Sequence, residues 1–266
     1  VTAYYYLTCG TCVWCQTGRE TLCDNLAGNV GRDLDGGYAD YIKLPSNSFI
    51  KLPEGLDYKS NPAEIGVVTD AIATPLKLIN KARIQPGESV TVIGAGGGLG
   101  IQMIAVAKWA KAQVIAVDVR PEKLDTCRGA GADKTVDASD IDLADLLFDL
   151  TDGKGTDVVI DFVANEKTLE GATRALGKGG RLAILGGGGI PNTFSVSGNW
   201  IKGGEREILG NKYASRADVR EALDIVARGE LWPIVTETCA LENVEELHQR
   251  LENGLVIGRA AVLINP

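Results

Sequence analysis

The sequence predicts an α/β fold in which a doubly wound parallel sheet follows a shorter β-rich stretch, and three observations predict it. From Ser89 onward, short continuous apolar runs alternate with helical patterns. A glycine-rich turn follows the first of those runs. Residues 1–60, by contrast, carry short β-rich runs separated by turn residues. Continuous apolar runs suit strands buried on both faces, the condition of a parallel sheet.

Taken in order, Val1-Thr2-Ala3-Tyr4-Tyr5-Tyr6 reads as a strand already under way. Because the only methionine is Met103, the natural start is expected upstream, with removal of an initiator methionine as the competing reading. The stretch from Gly36 to Pro45 alternates like a half-buried strand. A helical pattern then covers Asp70 to Lys81, and Pro86-Gly87-Glu88 supplies a turn. Strands are expected at Val90–Ile93, Val114–Val117, Thr135–Asp137, Val158–Asp161 and Arg181–Leu185, with helices near 121–131, 140–151 and 167–177. Ser215-Arg216-Ala217-Asp218 forms a capping box ahead of Val219, Leu223 and Val226 on one helical face. A last helix runs from Asn243 towards Gly254, before a strand at Ala260–Ile264.

Composition narrows the partners. With 266 residues and 45% hydrophobic content, the chain has material for one large core or two modest ones. The net charge of −8 opposes nucleic acid and anionic membrane, so a small neutral substrate fits better. No apolar run is long enough for a membrane span, and the first residues lack the layout of a secretion signal. The cytoplasm is the expected compartment.

Cys9, Cys12, Cys15 and Cys23 follow C-x2-C-x2-C-x7-C, and four thiolates at this spacing can close a tetrahedron around a soft divalent ion. A disulfide pair is the competing reading, but cysteine staples belong to small secreted chains. Iron–sulfur ligation is another; its bacterial run has a last gap of three residues and a following proline, whereas here the gap is seven and Asp24 follows. Four sulfurs leave no open position, so the ion is expected to be structural zinc. Cys127 and Cys239 lie far away and are expected as small buried hydrophobes.

Gly94-Ala95-Gly96-Gly97-Gly98-Leu99-Gly100 lies between a strand and a helix, where bare backbone can approach a pyrophosphate and the helix N-terminus favours its charge. The run departs from G-x-G-x-x-G, with Leu99 where the third glycine would fall. Asp118, ending the next strand, can accept from both ribose hydroxyls and would repel a 2′-phosphate, which predicts NAD over NADP. Arg120 stands against that choice, and a simple strand-end aspartate is the alternative.

A cysteine cluster ahead of a βαβ dinucleotide site resembles the zinc-dependent alcohol dehydrogenases of the medium-chain dehydrogenase/reductase superfamily, over the whole chain. The resemblance rests on Cys9–Cys23, Gly37-Tyr38-Ala39-Asp40-Tyr41, Gly94–Gly100, Asp118 with Lys123, and Gly258-Arg259. It implies a six-stranded Rossmann sheet plus a remnant of a β-rich, GroES-like catalytic domain. Domains are expected at 1–72 (catalytic, with the zinc lobe), 73–212 (NAD-binding) and 213–266 (return to the catalytic domain). Carried over by position, the resemblance puts Thr74 beside the nicotinamide, Leu99 under its ring and Lys123 on the adenosine ribose. Phe162 and Val163 would run along the cofactor groove, Gly186 near the carboxamide and Arg259 on the pyrophosphate. Asp70, in Val68-Thr69-Asp70-Ala71-Ile72-Ala73-Thr74-Pro75, is similar to the aspartate that replaces cysteine as a catalytic zinc ligand in bacterial secondary-alcohol dehydrogenases; without the resemblance it would read as a helix N-cap. The other catalytic ligands of the family are expected upstream of Val1, since the only histidine, His248, reads as a boundary residue.

The activity implied is NAD-dependent oxidation of an alcohol, with secondary alcohols preferred, to a ketone or aldehyde by zinc-assisted hydride transfer, in a homodimer or homotetramer paired through the Phe194–Trp200 region. Two alternatives stay open: a non-catalytic NAD-binding zinc protein, and a dehydrogenase of a cyclic hydroxyacyl-CoA. The four-cysteine lobe counts against a zinc-free quinone reductase.

Overall fold

The computed structural model describes residues 1–139, 141–187 and 193–264. The chain divides into two compact units, one formed by Val1–Lys77 with Tyr213–Pro266 and the other by Leu78–Lys212.

In the second unit six parallel strands lie in the order Glu207–Gly210, Leu176–Ile184, Thr156–Asp161, Ser89–Ile93, Gln113–Asp118, Lys134–Asp137. The chain builds outward from Ser89–Ile93 in one direction, then returns beside it and builds outward in the other. That reversal is the switch point of a doubly wound sheet, where a crevice opens outside the carboxyl ends of the central strands. Helices Gly100–Trp109 and Pro121–Gly129 pack together, as do Leu143–Leu150 and Glu166–Ala175. Right-handed crossovers put the two pairs on opposite faces. Val159, Leu182, Leu147, Leu169 and Ala172 fill the core between the second pair and the sheet.

The amino ends of the strands are tied by side chains. Buried Arg181 donates to Ala82 O at 2.9 Å and pairs with Glu88 Oε1 at 2.5 Å. One Asp157 carboxylate oxygen accepts from both the amide and the hydroxyl of Ser89, at 2.8 and 2.7 Å.

Three two-stranded pairings characterise the first unit: Thr2–Ala3 with Phe49–Ile50, Tyr6–Leu7 with Gly28–Asn29, and Glu237–Ala240 with Ala260–Leu263. Buried Tyr4 donates its hydroxyl to Ala214 O at 2.7 Å. The capping box at Ser215 is present: Ser215 Oγ accepts from Asp218 N, and Asp218 Oδ2 accepts from Ser215 N, opening helix Arg216–Ala227. That helix packs on a π-helical turn, Val68–Ile72, lodged between helices Pro62–Val67 and Ala73–Lys81.

Several expectations need correction. Gly36–Pro45 forms no strand, and Tyr41 is 92% exposed. Alternation marks a surface that could pair, but a ladder also needs a neighbour offering its backbone, and among the described residues no strand lies alongside. The helix expected from Asp70 begins at Pro62, and Asp70 sits inside the π turn rather than at a cap. Strands Glu207–Gly210 and Glu237–Ala240 were not foreseen. Cys127 is buried, whereas Cys239 on its edge strand is only half-buried. Asp140, and Gly188 and Gly189 of the second glycine cluster, lie outside the described residues.

Candidate functional site

The four cysteines gather on one lobe. Their sulfurs lie within 4.8 Å of one another, the one group of three or more potential ligand atoms among the described residues. The Sγ–Sγ separations are 3.5 Å for Cys9–Cys23, 3.9 Å for Cys9–Cys15 and 4.0 Å for Cys12–Cys23. A tetrahedron with Zn–S bonds of about 2.3 Å puts its sulfurs about 3.8 Å apart, so the spacing suits an S4 zinc site and is far too long for a disulfide. Amides already point at the sulfurs: Cys12 N donates to Cys9 Sγ at 3.4 Å, and Cys9 N to Cys23 Sγ at 3.3 Å. The backbone amides of Thr11 and Cys12, with the Thr11 hydroxyl, lower the Cys9 thiol to about 5, which favours the thiolate a metal requires. Burial pushes the Cys15 thiol up to about 12.

At the switch point, the glycine turn folds against the end of strand Gln113–Asp118. Gly94 N and Ala95 N both donate to Val117 O at 3.0 Å. Gly94 adopts φ 75°, and a side chain at Gly100 would overlap the Gly94 carbonyl. At Gly96 a Cβ would stand 2.5 Å from Lys123 Cβ. Gly94 is required by its positive φ, Gly96 by the Lys123 and Asp118 side chains packed against it, and Gly100 by the backbone of Gly94 and Ala95. Helix Gly100–Trp109 starts directly behind, with Gly97, Gly98 and Leu99 leading into it. Asp118 is nearly buried; its Oδ2 accepts from Gly96 N at 2.8 Å and its Oδ1 from Arg120 N at 3.1 Å. Buried Lys123 lies against the same turn. Arg120 stands 3.6 Å from Glu122.

On the other side of the switch point, the loop carrying Phe162 and Val163 follows strand Thr156–Asp161, and Gly186 follows strand Leu176–Ile184. Asp161, which the sequence reading passed over, joins these loops: Oδ1 accepts from Val163 N and Ala164 N, both at 2.8 Å. The signal was available, since Asp161 ends an apolar run in the same way as Asp118.

Asp70, Thr74 and Arg259 meet in the first unit. Buried Thr74 donates to Asp70 Oδ1 at 3.0 Å, and Arg259 Nη2 pairs with Asp70 Oδ2 at 3.0 Å. Burial, reinforced by the Asp70 charge, pushes the Tyr213 phenol up. Among the described residues no group of three metal-ligating side chains includes Asp70. These residues alone therefore do not fit a catalytic zinc. His248 Nε2 lies 3.0 Å from the Tyr38 hydroxyl on the exposed surface.

A chain that carries both a tetrathiolate lobe and a sheet with a glycine turn at its switch point falls in a class of dinucleotide-binding, metal-structured proteins. The chain matches the zinc-binding dehydrogenase family over residues 98–228 and the alcohol dehydrogenase GroES-like domain over residues 1–54. It is 34% identical over 262 residues to an alcohol dehydrogenase of Geobacillus stearothermophilus, covering 96% of this chain and 72% of that one. Among solved structures, the alcohol dehydrogenase of Aeropyrum pernix superposes with a TM-score of 0.86 at 31% identity, covering 97% of this chain and 74% of that one. The acetophenone reductase of Geotrichum candidum, in complex with NAD, gives a TM-score of 0.80 at 28% identity, covering 98% and 72%. The chain belongs to the zinc-type alcohol dehydrogenases of the medium-chain dehydrogenase/reductase family, and is an oxidoreductase. NAD and zinc are the cofactors of that family.

Proposed function

We propose that the protein oxidises an alcohol, secondary in preference to primary, to the corresponding carbonyl compound, with NAD as hydride acceptor. The observation that carries this reading is the Asp118 carboxylate held against the glycine turn at the switch point, a geometry suited to a ribose diol and hostile to a 2′-phosphate. The ketone chemistry of the acetophenone reductase supports the secondary-alcohol preference. Bound NAD supplies the hydride-accepting ring. In this reading Gly94, Gly96, Gly97, Gly98 and Gly100 admit the pyrophosphate, while Asp118 and Lys123 hold the adenosine ribose. Leu99, Phe162, Val163 and Gly186 line the way to the nicotinamide. Thr74 and Asp70, joined by their hydrogen bond, are assigned to the reacting end, with Asp70 as one carboxylate for a catalytic zinc whose other ligands are not among the described residues. Arg259, paired with Asp70 in this structure, is assigned to the pyrophosphate. Cys9, Cys12, Cys15 and Cys23 hold the structural zinc. Self-association as a dimer or tetramer belongs to the same reading.

A second reading, dinucleotide binding without turnover, is favoured by the engagement of both Asp70 oxygens. One experiment separates the two: NAD reduction followed at 340 nm with matched secondary and primary alcohols, beside NADH binding by fluorescence. Turnover that is faster with secondary alcohols is the expected result. Binding without turnover would establish the second reading, and no binding would sink both.

A further inference from the structure

Asp161 is fully buried, at the carboxyl end of the strand lining the switch point. In register it lies between Ile93, which precedes the glycine turn, and Ile184, which precedes Gly186. Three chain segments that edge the crevice therefore leave the sheet at the level of this one residue.

Its polar atoms bind two of those segments directly. Side-chain Oδ1 accepts from Val163 N and Ala164 N at 2.8 Å, fixing the loop that carries Phe162 and Val163. The Asp161 carbonyl accepts from Leu185 N at 3.1 Å and Gly186 N at 3.2 Å, fixing the next loop. The loops then touch backbone to backbone, because a Cβ at Gly186 would overlap the Phe162 carbonyl. The third segment bears on Val163: a Cβ at Gly94 would stand 3.0 Å from Val163 Cγ2. A side chain at Gly94 would thus press on Val163, so the glycine turn and the Val163 loop approach closely.

The second carboxylate oxygen, Oδ2, is buried and makes no hydrogen bond among the described residues. The nearby Thr168 hydroxyl favours the Asp161 charge, yet hydrogen-bonds within the Asn165 cap. A buried carboxyl with one oxygen unserved is a costly way to hold two amides if holding the loop were all that mattered. What the single oxygen provides is a fixed position for both amides, and hence for the Val163 backbone.

A dinucleotide laid across the switch point puts one nucleotide over each half of the sheet. Asp118, beyond the glycine turn on the Gln113–Lys134 side, suits the adenosine half; the Asp161 loops edge the other. We propose that Asp161 is a positioning residue for the nicotinamide half of the dinucleotide, acting through the Val163 and Gly186 loops and not through contact with the cofactor. The inference rests on the NAD-binding reading above. Misplacing a binding wall by about 1 Å is enough to cost a large factor in a site built on geometry.

The test compares ligands that share the adenosine half. Kd values for NADH and AMP are measured by fluorescence and by competition on the purified full chain and on Asp161→Ala and Asp161→Asn. For Asp161→Ala, NADH is expected to weaken at least tenfold while AMP changes less than twofold. Asp161→Asn, which keeps the accepting oxygen, is expected to restore NADH to within about threefold of wild type. Should Asp161→Ala not fold, Asp161→Glu, which shifts the oxygen by one methylene, carries the same prediction. Equal weakening of NADH and AMP would mean a merely structural residue, and an unchanged NADH affinity would mean no role; either overturns the proposal. If the wild-type chain binds AMP but not NADH, the NAD reading fails and this inference with it.

Discussion

Arg259 and Asp70, 189 residues apart in sequence, form an ion pair with Nη2 3.0 Å from Oδ2, while Thr74 occupies the other oxygen of the same carboxylate. The pair ties the start of strand Ala260–Leu263 to the π-helical turn. Both side chains are about one-third exposed, so solvent screening leaves a coupling of about 1 kcal/mol or less. A double-mutant cycle of Arg259→Ala and Asp70→Asn, read by denaturant unfolding, should return a favourable coupling of about 0.5–1 kcal/mol. Strict additivity would mean that the pair does not form in solution.

The thiolate lobe makes a stoichiometric prediction. The chain should carry one zinc, released to a chromogenic chelator when the thiols are blocked, and Cys12→Ser should carry none. Loss of the metal should lower the thermal midpoint by about 5 °C or more. A zinc content unchanged by Cys12→Ser would move the metal elsewhere.

For Asp118, replacement by Ala removes a nearly buried acceptor. Hydrogen bonds to a charged group contribute about 1.5–3 kcal/mol, so the NADH Kd should rise about tenfold to a hundredfold. NADPH affinity should fall less, or rise, because the repelling charge is gone. A parallel loss for both cofactors would argue against a role in discriminating between them.

Burial pushes the Asp161 carboxyl above its ordinary 3.8, against the lowering effect of the Ala164 amide, the Thr168 hydroxyl and the Val163 amide. An acid whose folded pKa is raised contributes stability that is full below the unfolded value and lost as pH rises through the folded one. The stability of wild type relative to Asp161→Asn should therefore decline as pH rises above 3.8, a trend urea unfolding between about pH 4 and 7 would read. A difference independent of pH would show that Asp161 titrates normally.

Much of this architecture is legible in the amino-acid sequence. The central strands announce themselves because Val90-Thr91-Val92-Ile93 is β-branched throughout and Val158–Ile160 is wholly apolar, patterns suited to strands buried on both faces. Glu207-Ile208-Leu209-Gly210 and Glu237-Thr238-Cys239-Ala240 were silent for the opposite reason: edge strands mix polar and apolar residues and differ little from loops. Gly36–Pro45 misled, since alternation describes one strand and pairing needs two. Spacing alone located the cysteines, because zinc ligation is local in sequence. No local rule could bring Arg259 to Asp70, and Asp161 differs from Asp118 only in what its neighbours ask of it.

The Arg181 anchor has a bearing on how the protein could change over generations. It secures the amino ends of the strands through Ala82 and Glu88, while the glycine turn, Asp118 and Asp161 occupy the carboxyl ends. Substitutions that harden or soften the lower rim are thus spared from altering what the upper rim recognises. A lineage moving to a hotter habitat can adjust the first without renegotiating its chemistry, and one acquiring a new substrate can vary the loops on a frame that stays put.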